Sequence, residues 1–376
     1  MVRILLRVAL ANNENYVIVI AMARSEPTPG GAGTLRDHGF HPLRVARVVE
    51  ETTDASSFVL EVPDELRTAF AYKAGQFCNL RVELDGRSHV RCYSMSSAPA
   101  VDSELQVTVK RVPEGRVSNW LIDHLDAGAL VEVSIPSGFF QLTPVDDDVV
   151  AFSAGSGITP VFSLLKSTLA TTARRVRLLY ANRDRASVIF DSALAELQQR
   201  HPGRLTVVHH FDVECGFVNA ETVKCFAGTP GGAEYYICGP APFMEVVEQA
   251  LVSVGTDPAR LHIERFTPAE LSLVPPAEEP EEGVHVTIEL EGHTATTEHH
   301  PGTTILQTAR QMGMSPPFSC ESGSCATCMA RLVEGEVSMY VNNALTEDEV
   351  DDGWVLTCQS VPTSPSVHVV YSFEGA

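Results

Sequence analysis

The apolar positions of this chain change rhythm twice. Between residues 41 and 146 the apolar runs are short and largely alternate with polar positions, at 43–48, 57–62, 76–84, 89–95, 105–111 and 130–135, with Gly and Pro between them. One short helical stretch, 118–125, interrupts them. Many short strands with turn signals predict a small antiparallel β-barrel. From residue 147 the pattern becomes strand–helix. Apolar strands at 149–154, 177–181, 205–210 and 235–238 are separated by helical stretches at 161–169, 191–200, 220–226 and 241–254. That alternation predicts an α/β domain, a parallel sheet with helices on both faces, ending near residue 266. Residues 267–283, rich in Pro and Glu, read as a self-repelling linker. A third module, 284–376, opens with an alternating strand at 284–290. A helix follows at 304–312, and Thr346 with Glu349 forms a capping box before 354–358.

Residues 1–40 fit none of these patterns. Two apolar runs, 2–10 and 16–23, are divided by Asn12, Asn13, Glu14 and Asn15. We expect a poorly ordered extension rather than an export signal, because the chemistry downstream belongs to the cytoplasm.

Charge adds a direction. The net charge is −21, of which −10 falls on residues 284–376, −5 on 268–283 and −6 on the first 267 positions. An acidic third module argues against nucleic acid or an anionic membrane as partner and favours a protein with a basic patch. No stretch of eighteen uninterrupted apolar residues is present, so no transmembrane helix is expected. Nine cysteines without a paired framework suit a reducing cytoplasm.

Four of those cysteines carry the sharpest signal. Cys320, Cys325 and Cys328 stand in C-x4-C-x2-C spacing, and Cys358 follows thirty residues after the last. This is the plant-type ligand pattern of a [2Fe–2S] cluster. Four thiolates must converge on two irons, so three come from one tight loop and the fourth from a distant segment. The small residues between them, Ser322, Gly323, Ser324, Ala326 and Thr327, let the backbone wrap the cluster. A zinc site usually shows two C-x2-C knuckles, and here only Cys325/Cys328 makes one.

Upstream, Arg91-x-Tyr93-Ser94 lies on a predicted strand, Gly155-x-Gly157 with Thr159 and Pro160 follows a strand and opens a helix, and Cys238-Gly239-Pro240 ends a strand. In that order these motifs resemble the ferredoxin–NADP reductase superfamily over residues 41–266. Residues 284–376 resemble a plant-type ferredoxin of the β-grasp fold. The resemblance implies a multidomain protein: an FAD-binding barrel (41–146), an NAD(P)-binding α/β domain (147–266) and a ferredoxin domain (284–376). It further implies that Tyr93 stacks on the flavin ring, that Ser94 hydrogen-bonds near flavin N5, and that Arg91 meets the flavin phosphate. Val117 and Ser118, at the start of the barrel's helix, contact its diphosphate, with Lys110 and Arg111 balancing charge. FAD is favoured over FMN because a helix start suits a diphosphate. For Phe139 and Phe140, core packing and contact with the flavin's adenosine end are equal readings.

Gly155 and Gly157 permit close approach of the dinucleotide's phosphates, with Thr159 as helix N-cap. Arg183, Asp184 and Arg185 should meet the adenosine ribose, where arginines suit a 2′-phosphate and Asp184 a 2′-hydroxyl. The resemblance favours NADH, with NADPH left open. Cys238 lies in relatives beside the path from nicotinamide to flavin N5, the alternative being an inert core thiol, and Gly239 and Pro240 follow it at the same edge. The residues 264–266 shape the nicotinamide pocket in relatives.

Together these expectations describe an oxidoreductase that moves electrons from NAD(P)H through FAD to [2Fe–2S] and on to a protein acceptor. The domain order resembles the reductase components of bacterial multicomponent oxygenases. Among these it is most similar to those of the Rieske-type 3-ketosteroid 9α-hydroxylases of steroid catabolism, with phenylacetyl-CoA epoxidase reductases as the rival. The acceptor is then a terminal oxygenase. A non-catalytic redox sensor on the same fold is the reading of another class.

Overall fold

The computed structural model describes residues 18–22, 39–228, 232–266, 283–290, 292–318, 321, 323, 325–342 and 344–371. The elements in chain order begin with β1 (Ile18–Met22). Then come β2 (Phe40–Thr52), β3 (Ala55–Glu61), β4 (Phe77–Leu84), β5 (Arg87–Ser94), β6 (Leu105–Lys110), α1 (Arg116–His124) and β7 (Leu130–Ser134). The middle of the chain supplies β8 (Asp148–Ala154), α2 (Ile158–Thr171), β9 (Val176–Asn182), α3 (Asp191–Arg200) and β10 (Leu205–Phe211). It continues with α4 (Asp212–Cys215), α5 (Ala220–Ala227), β11 (Ala233–Cys238), α6 (Ala241–Ser253) and β12 (Leu261–Glu264). The last part holds β13 (His285–Leu290), β14 (His293–Glu298), α7 (Ile305–Gln311), β15 (Met329–Met339), α8 (Glu347–Asp351), β16 (Trp354–Leu356), β17 (Ser360–Pro362) and β18 (Ser366–Tyr371). The chain divides into two compact units, Phe40–Thr267 and Met1–Gly39 with Pro268–Ala376.

In the first unit six antiparallel strands run in the order β5-β4-β7-β2-β3-β6, and a bridge between Met95 and Val107 joins the ends into the expected barrel. Alternation puts Leu43, Val45, Phe58, Leu60, Leu80, Val107 and Val133 inside, all fully or almost fully buried. Each such side chain contributes about 1.5–3 kcal/mol of burial. Helix α1 seals one end with Val117, Leu121 and the neighbouring Leu125.

The α/β part follows as a parallel sheet, β10-β9-β8-β11-β12. Helices cover both faces. Ile158, Val161, Leu164, Leu194 and Leu197 of α2 and α3 join one core, and Val223, Met244, Val247 and Leu251 of α5 and α6 join the other. Strand β8 leads to β9 on one side and pairs with β11 on the other, so the order reverses at β8. Ligands of such sheets bind outside the carboxyl ends of the strands at this reversal. The edge strand β12 was not among the strands read from the sequence, because only four residues carry it.

Barrel and sheet are sewn together within this unit. Ser163 of α2 donates its hydroxyl to Ser97 O at 2.5 Å, Lys166 pairs with Asp102, and Tyr236 of β11 accepts the Thr143 N–H at 3.0 Å.

The second unit holds a mixed sheet, β1-β15-β18-β13-β14, with β16 and β17 also on β15 and with β13 and β18 parallel. Helix α7 packs on it through Ile305, Leu306 and Ala309, in the manner of a β-grasp. The capping box predicted at Thr346 forms: Thr346 Oγ1 accepts the Glu349 N–H, and Glu349 Oε2 accepts the Thr346 N–H at 2.8 Å. Thr304 makes a second one with Gln307 ahead of α7. One expectation needs correction. Residues Ile18–Met22, placed in a poorly ordered extension, form β1 and pair antiparallel with Gly335–Met339 of β15. A β-branched run beside an open strand edge has a ready partner for its backbone groups. The remaining residues before 39, and the 267–282 part of the linker, lie outside the described residues.

Candidate functional site

Three sets of predicted residues come into place, and the barrel set is the first. Strand β5 pairs with β4 so that Tyr93 lies opposite Cys78 and Ser94 opposite Phe77. Tyr93 is half-buried against the barrel core, and burial pushes its phenol well above the usual range, so it stays neutral. Ser94 is 1% exposed, and its Oγ has no hydrogen-bond partner among the described residues. A buried hydroxyl without a partner costs about 1–3 kcal/mol, and a hydrogen-bonding ring atom at this strand end removes the deficit. That fits a flavin. Arg91, two residues before Tyr93 on the strand, donates from Nη1 to Val90 O at 2.7 Å.

The helix α1 follows a left-handed turn at Glu114 (φ 58°) and begins two residues before the predicted start. Its N-cap, Gly115, supplies no side-chain cap, which leaves the first-turn N–H groups for a ligand. Val117 is buried beneath that turn. Ser118 Oγ accepts the Val112 N–H at 3.2 Å and keeps its own proton to donate. Lys110 leads towards the α/β sheet: its Nζ lies 3.7 Å from Asp54 Oδ2 and 3.7 Å from the place a Cβ on Gly155 would take. Arg111 turns elsewhere, to Asp123, whose carboxyl it holds below its ordinary range. The two phenylalanines separate. Phe140 is buried and meets Tyr236 edge-on at 5.6 Å, whereas Phe139 is 52% exposed. Phe140 is therefore core, and Phe139 alone keeps the second reading.

The second set surrounds the sheet's reversal point. Gly155 takes φ +52°, a left-handed position, and its carbonyl accepts the Tyr180 hydroxyl at 3.1 Å. A Cβ on Gly157 would stand 2.1 Å from Cys238 O and 2.7 Å from Gly239 N, and one on Gly239 would meet Ala154 Cβ at 3.0 Å. The two loops leaving β8 and β11 thus touch backbone to backbone, which brings the predicted Gly155/Gly157 and Cys238/Gly239/Pro240 motifs into one place. Thr159 differs from expectation. A short 3-10 turn at Gly155–Gly157 starts the helix early, Gly157 is the N-cap, and Thr159 sits inside the first turn donating to Ser156 O at 3.0 Å. Pro240 is the N-cap of α6.

Cys238 is fully buried, and burial together with the nearby Glu264 carboxyl holds its thiol well above the ordinary value. It is a neutral thiol, not an activated thiolate. Glu264 lies directly beside it across the β11–β12 pairing. At the end of β9, Arg183 is exposed and paired to Asp184 at 2.9 Å, while Asp184 also caps the turn 185–187 by accepting the Ser187 N–H. Both contacts hold Asp184 below its usual range. Arg185 faces Asp191 at 3.4 Å. Sequence reasoning missed two neighbours. The Val213 N–H donates to Arg183 O at 3.1 Å, and His210 Nε2 lies 2.7 Å from Gly216 O, so the exposed Val213 and Phe217 share this edge. An apolar pair just after a parallel strand was the available signal.

The third set is the cysteine loop. Cys325, Cys328 and Cys358 are all buried (2–3% exposed); Cys320 lies outside the described residues. Left-handed positions at Glu321, Gly323 and Ala326 curl the loop, and a Cβ on Gly323 would meet Val341 O at 2.6 Å. Two contacts tie the Cys358 segment to it. The Thr357 hydroxyl donates to Cys328 O at 2.7 Å, and Gln359 Nε2 donates to Glu321 O at 2.8 Å. Arg310 forks onto the Glu321 carboxylate at 2.8 and 3.2 Å and lies over the Phe318 ring. Buried thiols held in a wrapped, glycine-tight loop fit an iron–sulfur cluster.

Comparison with known proteins agrees at each level. Residues 42–142 match an oxidoreductase FAD-binding domain, 152–249 an oxidoreductase NAD-binding domain and 288–363 a 2Fe-2S iron-sulfur cluster binding domain. The chain is 39% identical over 341 residues to the ferredoxin reductase component of 3-ketosteroid-9-alpha-monooxygenase from Rhodococcus rhodochrous, covering 88% of this chain and 96% of that one. It is 32% identical to one component of the 1,2-phenylacetyl-CoA epoxidase of Escherichia coli, covering 89% and 99%. Among solved structures, phthalate dioxygenase reductase superposes with a TM-score of 0.57 at 25% identity, over 89% of this chain and 98% of that one. The chain is an oxidoreductase with FAD, NAD and 2Fe-2S domains, and it belongs to the family of flavin and iron–sulfur reductases that includes the reductase components of 3-ketosteroid-9-alpha-monooxygenase.

Proposed function

We propose that this chain is the NADH-dependent reductase component of a Rieske-type 3-ketosteroid 9α-hydroxylase in the cytoplasm. Bound FAD would supply the conversion such a system needs, from a two-electron hydride donor to single electrons for the [2Fe–2S] centre. The residues supply positioning. Tyr93 offers a neutral aromatic face that excludes water, and the partnerless Ser94 hydroxyl is available to the ring atom that receives hydride. The uncapped first turn of α1, with Ser118, offers donors to the diphosphate, and Lys110 adds positive charge between it and Gly155. Gly157 and Gly239 bring the dinucleotide's backbone against the sheet end, and Cys238 presents a small, neutral surface there. NADH is favoured because Asp184 pairs with Arg183 and Asp191 with Arg185, which offsets the positive charge that a 2′-phosphate would need.

The observation that carries the assignment of acceptor is the near end-to-end match, at 39% identity, with the Rhodococcus reductase component. Residues 284–376 are acidic, and α8 exposes Glu347, Asp348 and Asp351 ahead of the Cys358 segment, which suits a basic docking patch on the oxygenase. Neither a steroid nor a thioester would bind this chain; the substrate belongs to the oxygenase. The test is reconstitution with NADH, a 3-ketosteroid and the cognate oxygenase. Formation of the 9α-hydroxylated product supports the proposal. Coupling instead to a phenylacetyl-CoA epoxidase, with none to the steroid oxygenase, overturns it. Absence of any NADH-driven cytochrome c reduction would point to a redox sensor.

A further inference from the structure

The last strand of the second unit ends on a buried tyrosine that no part of the mechanism above uses. Tyr371 is 4% exposed, and its hydroxyl donates to Thr357 Oγ1 at 2.8 Å. Thr357, fully buried, donates from its own hydroxyl to Cys328 O at 2.7 Å, and its N–H donates to the same oxygen at 3.2 Å. The Thr357 carbonyl accepts the Leu306 N–H from the first turn of α7 at 3.0 Å. Thr357 immediately precedes Cys358, so one residue is bonded at both backbone groups and at its side chain between two cluster cysteines.

We propose that Tyr371 is a positioning residue for the iron–sulfur centre: through Thr357 it locks the Cys328 loop against Cys358 and raises the cluster's reduction potential. This rests on the [2Fe–2S] reading above. A threonine hydroxyl free to rotate has several acceptors; with Tyr371 donating to it, its proton is committed to Cys328 O. The two O–H dipoles then point the same way, positive ends towards Cys328, and reinforce each other. Reduction adds one negative charge to the cluster, so dipoles whose positive ends point towards the backbone of a ligand residue favour the reduced form. A neutral phenol is required, and its burial keeps it so.

The test compares full-length Tyr371→Phe, Thr357→Val and Thr357→Ser with the wild type. Iron and acid-labile sulfide are counted first, and the cluster midpoint is then measured by spectroelectrochemical titration, with the EPR g-values of the reduced protein alongside. Wild-type protein lacking two irons per chain would defeat the cluster reading itself, separately from this inference. With iron retained, a more negative midpoint in Tyr371→Phe and Thr357→Val, and a wild-type midpoint in Thr357→Ser, is the expected result. An unmoved midpoint in both of the first two overturns the proposal. So does loss of iron in all three, because Thr357→Ser keeps the hydroxyl and its failure would mean packing alone.

Discussion

Replacing Gly157 by Ala isolates the contact between the two loops at the sheet's reversal point. Gly157 has φ −60° and ψ −14°, an ordinary helical conformation, so alanine carries no backbone penalty there. The added methyl, however, would lie 2.1 Å from Cys238 O and 2.4 Å from its carbonyl carbon, both backbone atoms. Separation to a tolerable 3 Å requires the loops to part by about 1 Å. Forced overpacking of this kind typically costs about 1–3 kcal/mol of stability. A misplacement of about 1 Å in a positioned reactant lowers the rate by about 100-fold. Steady-state NADH–ferricyanide kinetics should therefore show kcat/KM falling about 100-fold while flavin content stays at wild-type level and the melting temperature drops by about 2–12 °C. Stopped-flow reduction of the flavin by NADH locates the loss in hydride transfer. Wild-type hydride transfer in a folded Gly157→Ala protein would refute the reasoning, since the close approach would then have no bearing on the dinucleotide.

Other expectations follow from the same geometry. Ser94→Ala should make the flavin-free protein at least as stable, because an orphaned buried hydroxyl is removed there, yet slow reduction of the bound flavin by 10-fold or more, as about 1.4 kcal/mol of transition-state contact predicts; unchanged stopped-flow rates would refute a role at the reacting atom. Cys325→Ser should abolish cytochrome c reduction and preserve ferricyanide reduction, which the flavin serves directly; equal loss of both would mean that the loop also holds the fold. Phe217→Ala should raise KM for NADH several-fold and leave kcat unchanged if this exposed ring meets the dinucleotide; an unchanged KM removes it from the site. Burial raises the Cys78 thiol to about 12 and the Cys238 thiol well above its ordinary value. Both hold their protons longer folded than unfolded, so stability should fall as pH rises above about 9, by up to about 1.4 kcal/mol per pH unit per thiol; flat chemical-denaturation midpoints from pH 8 to 10.5 would contradict it. Coupling to the oxygenase should weaken with ionic strength while ferricyanide reduction does not; a flat salt profile for coupling counts against acidic docking.

What the chain's own letters determined was local chemistry and local geometry. The spacing of Cys320, Cys325 and Cys328 names a cluster because three ligands to one cluster must come from one loop, and a strand-then-glycine pattern at 149–157 names a tight turn because glycine alone tolerates a left-handed position and a close backbone approach there. The capping box at Thr346 is equally local. Helix starts were less legible: the 3-10 turn at Gly155–Gly157 displaced Thr159 from the cap, since a left-handed glycine can begin the winding earlier than a capping hydroxyl suggests. Tertiary structure alone decided the rest. That Gly157 presses on Cys238 depends on strands eighty residues apart becoming neighbours. That Phe140 is core and Phe139 exposed depends on which side of one backbone faces the sheet. The pairing of Ile18–Met22 with β15 and the run from Tyr371 through Thr357 to Cys328 are contacts between distant segments that no periodicity encodes. Spacing within a loop is written in the sequence; the meeting of two loops is written only in the packing between them.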